Sequence, residues 1–428
     1  MPWVAVRLRA LFVDPGFATG LVAGVSLSLL GVLSPHLFLV AAVLGGVLLV
    51  THAVAADNRL FYAKQLAPGV LTAAGATVLL SAYWIIPTLA GLGHEGTVIS
   101  GTGPGELSAY AVVPDQHLGL LPNLLGLYGF WAENSGRFTS MKDFVPVWPV
   151  ILALLLLIGG IGAASAFRRR SDRLAPWVAG LLIAAVIAVL LEMGVSHALT
   201  AGLVRWLDAT VPVYRGMRDA GKWAALLALV YSQLSALGVV AILDSIRRWK
   251  LGATRTEWLG ATATGLLLAM PLYYGNGLLF GMHGEIKPSQ YPPGWYAADR
   301  VLVADSHPGR TLFLPWHEYL DLSFVRNENS VVASPAPTFF STLVLVSSDP
   351  EVPGIEPPSD PEQTTISGLV AAGSQGRWAQ VLAARNVKYV LLAREVDWSS
   401  YGYLDSQPGL VRVGDYGSIV LYRKSLVA

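Results

Sequence analysis

Arg215, Arg218 and Lys222 stand three and four residues apart in a stretch, 194–222, whose other charged residues are Arg205, Asp208 and Asp219. If the apolar helix that follows begins early, this spacing sets the three cations on one face at its N-terminal end. Free backbone N–H groups and the helix dipole would reinforce them there, so the chemistry indicated is the grip of an anion such as a phosphate or pyrophosphate head group. The two arginines would supply bidentate contacts. The competing role is snorkelling to lipid phosphates. A second set of polar groups lies upstream in 91–144: His94, Glu95, Glu106, Asp115, His117, Glu133 and Asp143. Most of these are expected to be solvated surface groups.

The elements that must position these groups are apolar helices. The chain is 54% hydrophobic and 13% charged, against about 25% charged in an ordinary soluble domain. A spanning helix needs about 20 apolar residues, because each rises about 1.5 Å and the backbone must satisfy itself. Seven stretches qualify: 17–33, 37–55, 70–89, 145–166, 174–193, 223–243 and 259–280. The first two are joined only by Ser34, Pro35 and His36, so a tight hairpin is expected, with Pro35 ending one helix or opening the next. Placing the N-terminus in the cytoplasm puts Arg7 and Arg9, then Arg59 and Lys64, then Arg168, Arg169, Arg170 and Arg173, then Arg247, Arg248, Lys250 and Arg255 on the inner side, as short cytoplasmic loops require. The loops 91–144 and 194–222 and everything after residue 280 then lie outside. Trp84, Trp148, Trp177, Trp223 and Trp258 near span ends suit either an interfacial belt or helix packing. Within the first outer loop, the apolar piece Leu118–Trp131 is too short to span and predicts an interfacial or re-entrant helix, or a lid packed on other spans.

The fold class expected is therefore an α-helical polytopic membrane domain of about seven transmembrane helices, residues 1–280, followed by a small α/β extracytoplasmic domain, residues 281–428. In that second domain Arg310–Leu314 and Val387–Ala393 read as strands, and 377–385 as a helix. Leu410–Gly414, a turn at Asp415-Tyr416-Gly417 and Ser418–Arg423 read as a hairpin. The Pro- and acid-rich stretch 349–361 reads as a loop. Its aromatics, Trp295, Tyr296, Trp316, Trp378, Trp398, Tyr401 and Tyr403, suit a core better than sugar-stacking surfaces.

Net charge is +1 and no basic run is interleaved with aromatics, which excludes a nucleic-acid partner. The absence of cysteine removes disulfides, thiolate metal sites and cysteine nucleophiles. Hydrolase, zincin, Walker and dinucleotide-binding motifs are not found. His307 and His317 have no further ligand cluster around them, so no metal site is expected; no cofactor is evident, and dependence on a divalent cation is not legible.

Several segments together resemble one class. They are Tyr83-Trp84-Ile85-Ile86-Pro87, Leu125-Gly126-Leu127-Tyr128-Gly129-Phe130-Trp131, Val213-Tyr214-Arg215-Gly216-Met217-Arg218-Asp219, Phe313-Leu314-Pro315-Trp316-His317 and Asn386-Val387-Lys388-Tyr389-Val390-Leu391. The chain is similar to bacterial and archaeal membrane glycosyltransferases of the GT-C type, which use polyprenyl-phosphate sugars, and also resembles YfhO-like membrane proteins. The resemblance implies a multi-pass cell-membrane protein whose partners are a polyprenyl-phosphate sugar and a glycan acceptor. GT-C enzymes carry a catalytic acid in the loop after their first span, whereas Ser34-Pro35-His36 holds none. Either the chain is the C-terminal part of a longer architecture, or completed by a neighbouring membrane subunit, or it is a non-catalytic relative.

Sugar transfer from a lipid phosphate needs a carboxylate to deprotonate the acceptor hydroxyl and cations to stabilise the departing phosphate. Asp115 and Glu106 are the candidate carboxylates, with His117 to orient either, and Arg215, Arg218 and Lys222 are the candidate phosphate-binding residues. Two alternatives compete: a non-catalytic assembly or carrier-binding protein, and a solute transporter. The second is the weakest, because the spans hold almost no ionisable residues and Glu192 falls at a span end.

Overall fold

A computed structural model of the protein describes residues 1–90, 104–133, 140–168, 174–248, 252–307, 309–327, 331–349, 351 and 360–425. His94, Glu95, Arg169, Arg170, Arg173, Lys250 and most of the loop 349–361 lie outside the described residues. The chain divides into two compact units, Met1–Ser100 with Glu106–Gly277, and Gly101–Gly105 with Leu278–Ala428.

The first unit is helical. It comprises α1 (Pro2–Val13), α2 (Phe17–Leu33), α3 (Pro35–Ala55), α4 (Arg59–Leu89), the short α5 (Pro104–Ala109) and α6 (Leu120–Leu125), α7 (Trp148–Arg168), α8 (Ala175–Met193), α9 (Ala198–Thr210), α10 (Ala224–Arg248) and α11 (Ala253–Tyr274). Among the described residues five segments are long and apolar enough to cross a membrane: Pro35–Ala55, Arg59–Pro87, Trp148–Arg168, Ala175–Met193 and Ala220–Arg248. The other two expected spans correspond to α2, apolar but 17 residues long, and α11. Arg255 and Glu257 fall inside α11, which lowers its apolar character. The hairpin between α2 and α3 is tighter than expected. Only Ser34 separates the helices, and its hydroxyl accepts from the Leu37 N–H while Pro35 occupies the first turn.

Close backbone approach holds the bundle together. A Cβ on Gly20 or Gly24 of α2 would lie 2.2 or 2.5 Å from the Gly69 or Ala73 carbonyl oxygen of α4. In the same way, a Cβ on Gly162 of α7 or Gly238 of α10 would lie 2.2 or 2.0 Å from the carbonyl oxygen of Leu234 or Ile158. Small residues let apolar helices pack where hydrocarbon surroundings supply no hydrophobic drive. Trp148, Trp177 and Trp223 are buried packing residues, and Trp258 is exposed. Of the expected interfacial helix Leu118–Trp131, only Leu120–Leu125 is helical. Gly119 and Gly129 have positive φ on either side of it, and Gly126 closes its end, so the glycines cut the apolar piece into a turn-rich segment.

The second unit is a three-layer α/β/α arrangement. Its elements are α12 (Pro293–Ala304), β1 (Arg310–Leu314), β2 (Tyr319–Asp321), β3 (Val331–Ala333), β4 (Leu343–Leu345), α13 (Pro361–Ala372), α14 (Trp378–Ala384), β5 (Val387–Ala393), β6 (Leu410–Asp415) and β7 (Ile419–Lys424). The main sheet runs β4-β1-β5-β7-β6, parallel among β4, β1 and β5 and antiparallel at β7 and β6; β2 and β3 pair separately. Successive strand residues point to opposite faces. Leu312, Leu314, Val390, Leu392, Val420 and Tyr422 accordingly pack with Ile366, Leu369, Trp378 and Leu382 of α13 and α14. Phe313, Leu391, Ile419 and Leu421 pack with Trp295, Ala298 and Leu302 of α12. Double-sided burial explains why Val387–Ala393 is apolar almost throughout rather than alternating. Trp295, Trp316, Trp378 and Tyr401 are core residues, while Tyr296 and Trp398 are exposed.

Candidate functional site

The polar groups of the first unit collect where α2 meets α3, where α8 ends, and where α7 and α10 begin. The segment Val211–Trp223 forms the centre. It is not the early start of a long helix: two 3-10 turns, Pro212–Met217 and Ala220–Trp223, precede α10 at Ala224. Tyr214, Met217, Ala220 and Trp223 are buried, an interval of three that matches the three residues per turn of a 3-10 helix. Burying that row holds the intervening Arg215, Arg218 and Lys222 on the other sides of the segment. Asp219 caps the second turn by accepting from the Gly221 N–H at 3.1 Å.

The three cations go to different partners. Arg215 Nε donates to the Asp208 backbone carbonyl at 3.1 Å. Lys222 Nζ contacts His36 Nε2 at 3.0 Å and donates to the Gly216 carbonyl at 3.1 Å. Arg218 forms an ion pair with Glu106 and lies 5.0 Å above the Tyr110 ring. The Glu106 side chain is 7% exposed and that of Arg218 is 32% exposed, so the pair joins a buried carboxylate to a guanidinium that still reaches solvent. Burial raises Glu106 above the usual carboxylate range; the charge of Arg218 and its hydrogen bond oppose that rise.

Asp115 is differently placed. Its Oδ1 accepts from the backbone N–H of His117 and Leu118, both at 2.9 Å, and its Oδ2 accepts from Lys142 at 2.8 Å. The bond from Lys142 holds Asp115 down to about 2, with the two backbone donors adding to the effect. Lys142 also meets Glu133 at 3.1 Å and lies over the Tyr128 and Trp148 rings. This cluster closes the 104–148 segment on itself. The imidazole of His117 is exposed, and His117 joins Asp115 through its backbone N–H.

The spacing pattern therefore marked Arg218 and Lys222, and the structure adds three groups to them. His36 sits in the α2–α3 hairpin, Tyr110 comes from the end of α5, and Glu192 is the third. Glu192 closes α8 at 0% exposure, with both carboxylate oxygens buried and no hydrogen-bond partner among the described residues. Asp219 and Tyr231 lie within its electrostatic reach. An ionisable group carried inside a membrane bundle is costly. The signal was present in the sequence as a lone acid ending an apolar run; its complete burial was not. Among the described residues no three His, Asp or Glu side chains come together as metal ligands.

No protein-family model and no curated protein matches the chain. Its fold is nevertheless similar to that of the arabinofuranosyltransferase AftD from mycobacteria, solved by single-particle cryo-electron microscopy. The TM-score is 0.52 at 14% identity, over 95% of this chain and 27% of that one. Two classes of a point mutant of AftD give TM-scores of 0.55 and 0.50 at 14 and 15% identity, each over 99% of this chain and 30% of theirs. The chain thus spans less than a third of the length of the structures it resembles. At these identities the likeness is one of fold. It supports a fold like that of this arabinofuranosyltransferase and, together with the apolar helices, a membrane location.

Proposed function

We propose that this chain is a glycosyltransferase-like membrane module that holds a polyprenyl-phosphate sugar at the outer membrane face during cell-envelope glycan synthesis. Arg218 and Lys222 receive the phosphate, and Glu106 serves the acceptor. The observation that carries the reading is the buried Glu106 paired with the solvent-reaching Arg218 over the Tyr110 ring, on a fold like that of a membrane arabinofuranosyltransferase.

An arriving phosphate competes with Glu106 for the same guanidinium. As Arg218 turns to the phosphate, Glu106 loses its neutralising partner while remaining buried, and its basicity rises. The acceptor hydroxyl then forms a bond to the anomeric carbon, the bond from that carbon to the phosphate oxygen breaks, and the hydroxyl proton passes to Glu106. Negative charge left on the phosphate is taken up by Arg218 and Lys222. Asp115 is the poorer base of the two acids, because Lys142 and two backbone donors stabilise its charged form. Arg215 serves less directly, its Nε being engaged with the Asp208 carbonyl.

A non-catalytic carrier-binding role is favoured by one observation: both candidate carboxylates are already paired with cations. The readings separate on substitution. In nanodiscs, Arg218→Ala with Lys222→Ala should weaken binding of a polyprenyl phosphate at least tenfold while the protein stays monodisperse; unchanged affinity discards the phosphate site. Glu106→Gln should retain binding but lose transfer. If cells carrying that variant make glycan of normal composition, the module binds and does not catalyse.

A further inference from the structure

At the sequence boundary after Gly277 runs a stretch that neither the phosphate site nor the sheet explains. Asn276 to Gly284 reads Asn-Gly-Leu-Leu-Phe-Gly-Met-His-Gly, with no Asp, Glu, Lys or Arg. Phe280, Gly281, Met282 and His283 all have φ between 52° and 64°, a complete left-handed turn in which three of the four residues carry side chains. L-residues adopt this conformation at a steric cost, and ordinarily one at a time. The turn is nevertheless wired internally. His283 N–H donates to the Leu279 carbonyl at 3.0 Å, Gly284 N–H to Phe280 at 3.1 Å and Ile286 N–H to Gly281 at 3.0 Å. It presents Phe280 at 88% exposure, with Leu278 at 70% and Ile286 at 59%.

Exposed apolar side chains on a strained turn call for an occupant that compensates both. The position of the turn in the chain identifies it. Asn276 Nδ2 donates to the Phe144 carbonyl at 3.2 Å, and a Cβ on Gly277 would lie 2.8 Å from Met141 Sδ. Met141 and Phe144 form the turn that leads into α7, one of the five helices fit to span. The chain is thereby fixed at Gly277 beside the mouth of a span. Leu278 follows immediately, and Phe280 is three residues on, within about 11 Å of contour. The boundary between headgroups and acyl chains is within that reach, and apolar side chains on an uncharged turn are at home there. We infer that Leu278–Gly284 is a monotopic anchor: a left-handed turn that seats Phe280 and Leu278 in the bilayer surface.

The chain has no cysteine, so single labels can be placed in the full-length protein without removing any. Phe280→Cys and, separately, Leu278→Cys carry a nitroxide in vesicles of phosphatidylcholine and phosphatidylglycerol. Collision rates are measured with oxygen, which concentrates in lipid, and with a nickel chelate, which stays in water. Leu157→Cys on the exposed face of α7 gives the lipid value, and Val411→Cys on β6 the aqueous one. The inference expects an oxygen-to-nickel ratio at both 278 and 280 at least fivefold above that at 411. A ratio equal to that at 411 overturns it. So does dipolar broadening at 280 that vanishes on dilution with unlabelled protein, which would make a second copy the occupant. Because the labelled positions are exposed, a folding failure at one is checked by the other.

Discussion

Arg218→Met tests the central pair directly. Removing one partner of a buried ion pair costs about 3–5 kcal/mol, because the other charge is left stranded. Arg218 is a third exposed, so solvent screening brings the figure toward the roughly 1 kcal/mol of a surface pair. The ring contact with Tyr110 adds about 0.5 kcal/mol. A loss of about 2 kcal/mol at pH 7.5 is expected. Glu106→Gln should cost about 1 kcal/mol, since Arg218 can hydrate. The double variant should lose about 1.5 kcal/mol rather than the sum, a coupling of the size seen for side chains in contact.

The pH dependence has a definite sign. Glu106 is raised in the folded state, so the stability it confers is full below its unfolded value of about 4.3 and is lost as pH rises through the folded value. Without Arg218 that value climbs further, and the deficit of Arg218→Met should be largest near pH 8 and shrink toward pH 5. Dodecylsulfate titration in mixed micelles, followed by tryptophan fluorescence, reads these differences. Deficits that add to within about 0.3 kcal/mol, or that do not change with pH, would refute the account of a buried carboxylate held by one guanidinium.

Glu192→Gln should leave stability unchanged or raise it by about 1 kcal/mol in the same titration, since it removes a buried acid without a partner, whereas Glu192→Lys should prevent recovery of monodisperse protein. Gly238→Ala sets a methyl 2.0 Å from the Ile158 carbonyl and should abolish monodisperse recovery on size exclusion; Gly160→Ala, with nothing within 4 Å, should not. Lys142→Met should lower stability at pH 7 by about 1–2 kcal/mol. Asp115 is depressed to about 2, so its contribution is present above the unfolded value of about 3.9 and lost as pH falls through about 2, and variant and parent should converge there. In the second unit, Leu391→Ala should cost about 3 kcal/mol by leaving a cavity between the sheet and α12.

By itself the sequence determined whatever depends on neighbours along the chain. Long apolar runs gave the helices of the first unit, because hydrocarbon surroundings require the backbone to bond within its own segment. Arg310–Leu314, Val387–Ala393 and the final hairpin were legible to within a residue or two, since strand chemistry and turn residues are local. Local pattern misled where glycine intervened: an apolar run from Leu118 to Trp131 looked like one helix, and positive-φ glycines reduced it to six residues. Arg215, Arg218 and Lys222 were visible as a spacing. Their division among a backbone carbonyl, Glu106 and His36 was not, because Arg218 and Glu106 are 112 residues apart and Lys222 and His36 are 186 apart. Contacts at such separations are set by how closely α2 lies on α4 and α7 on α10, through carbonyls approaching at glycine. Composition decided that these helices form; only their packing decided which charges meet.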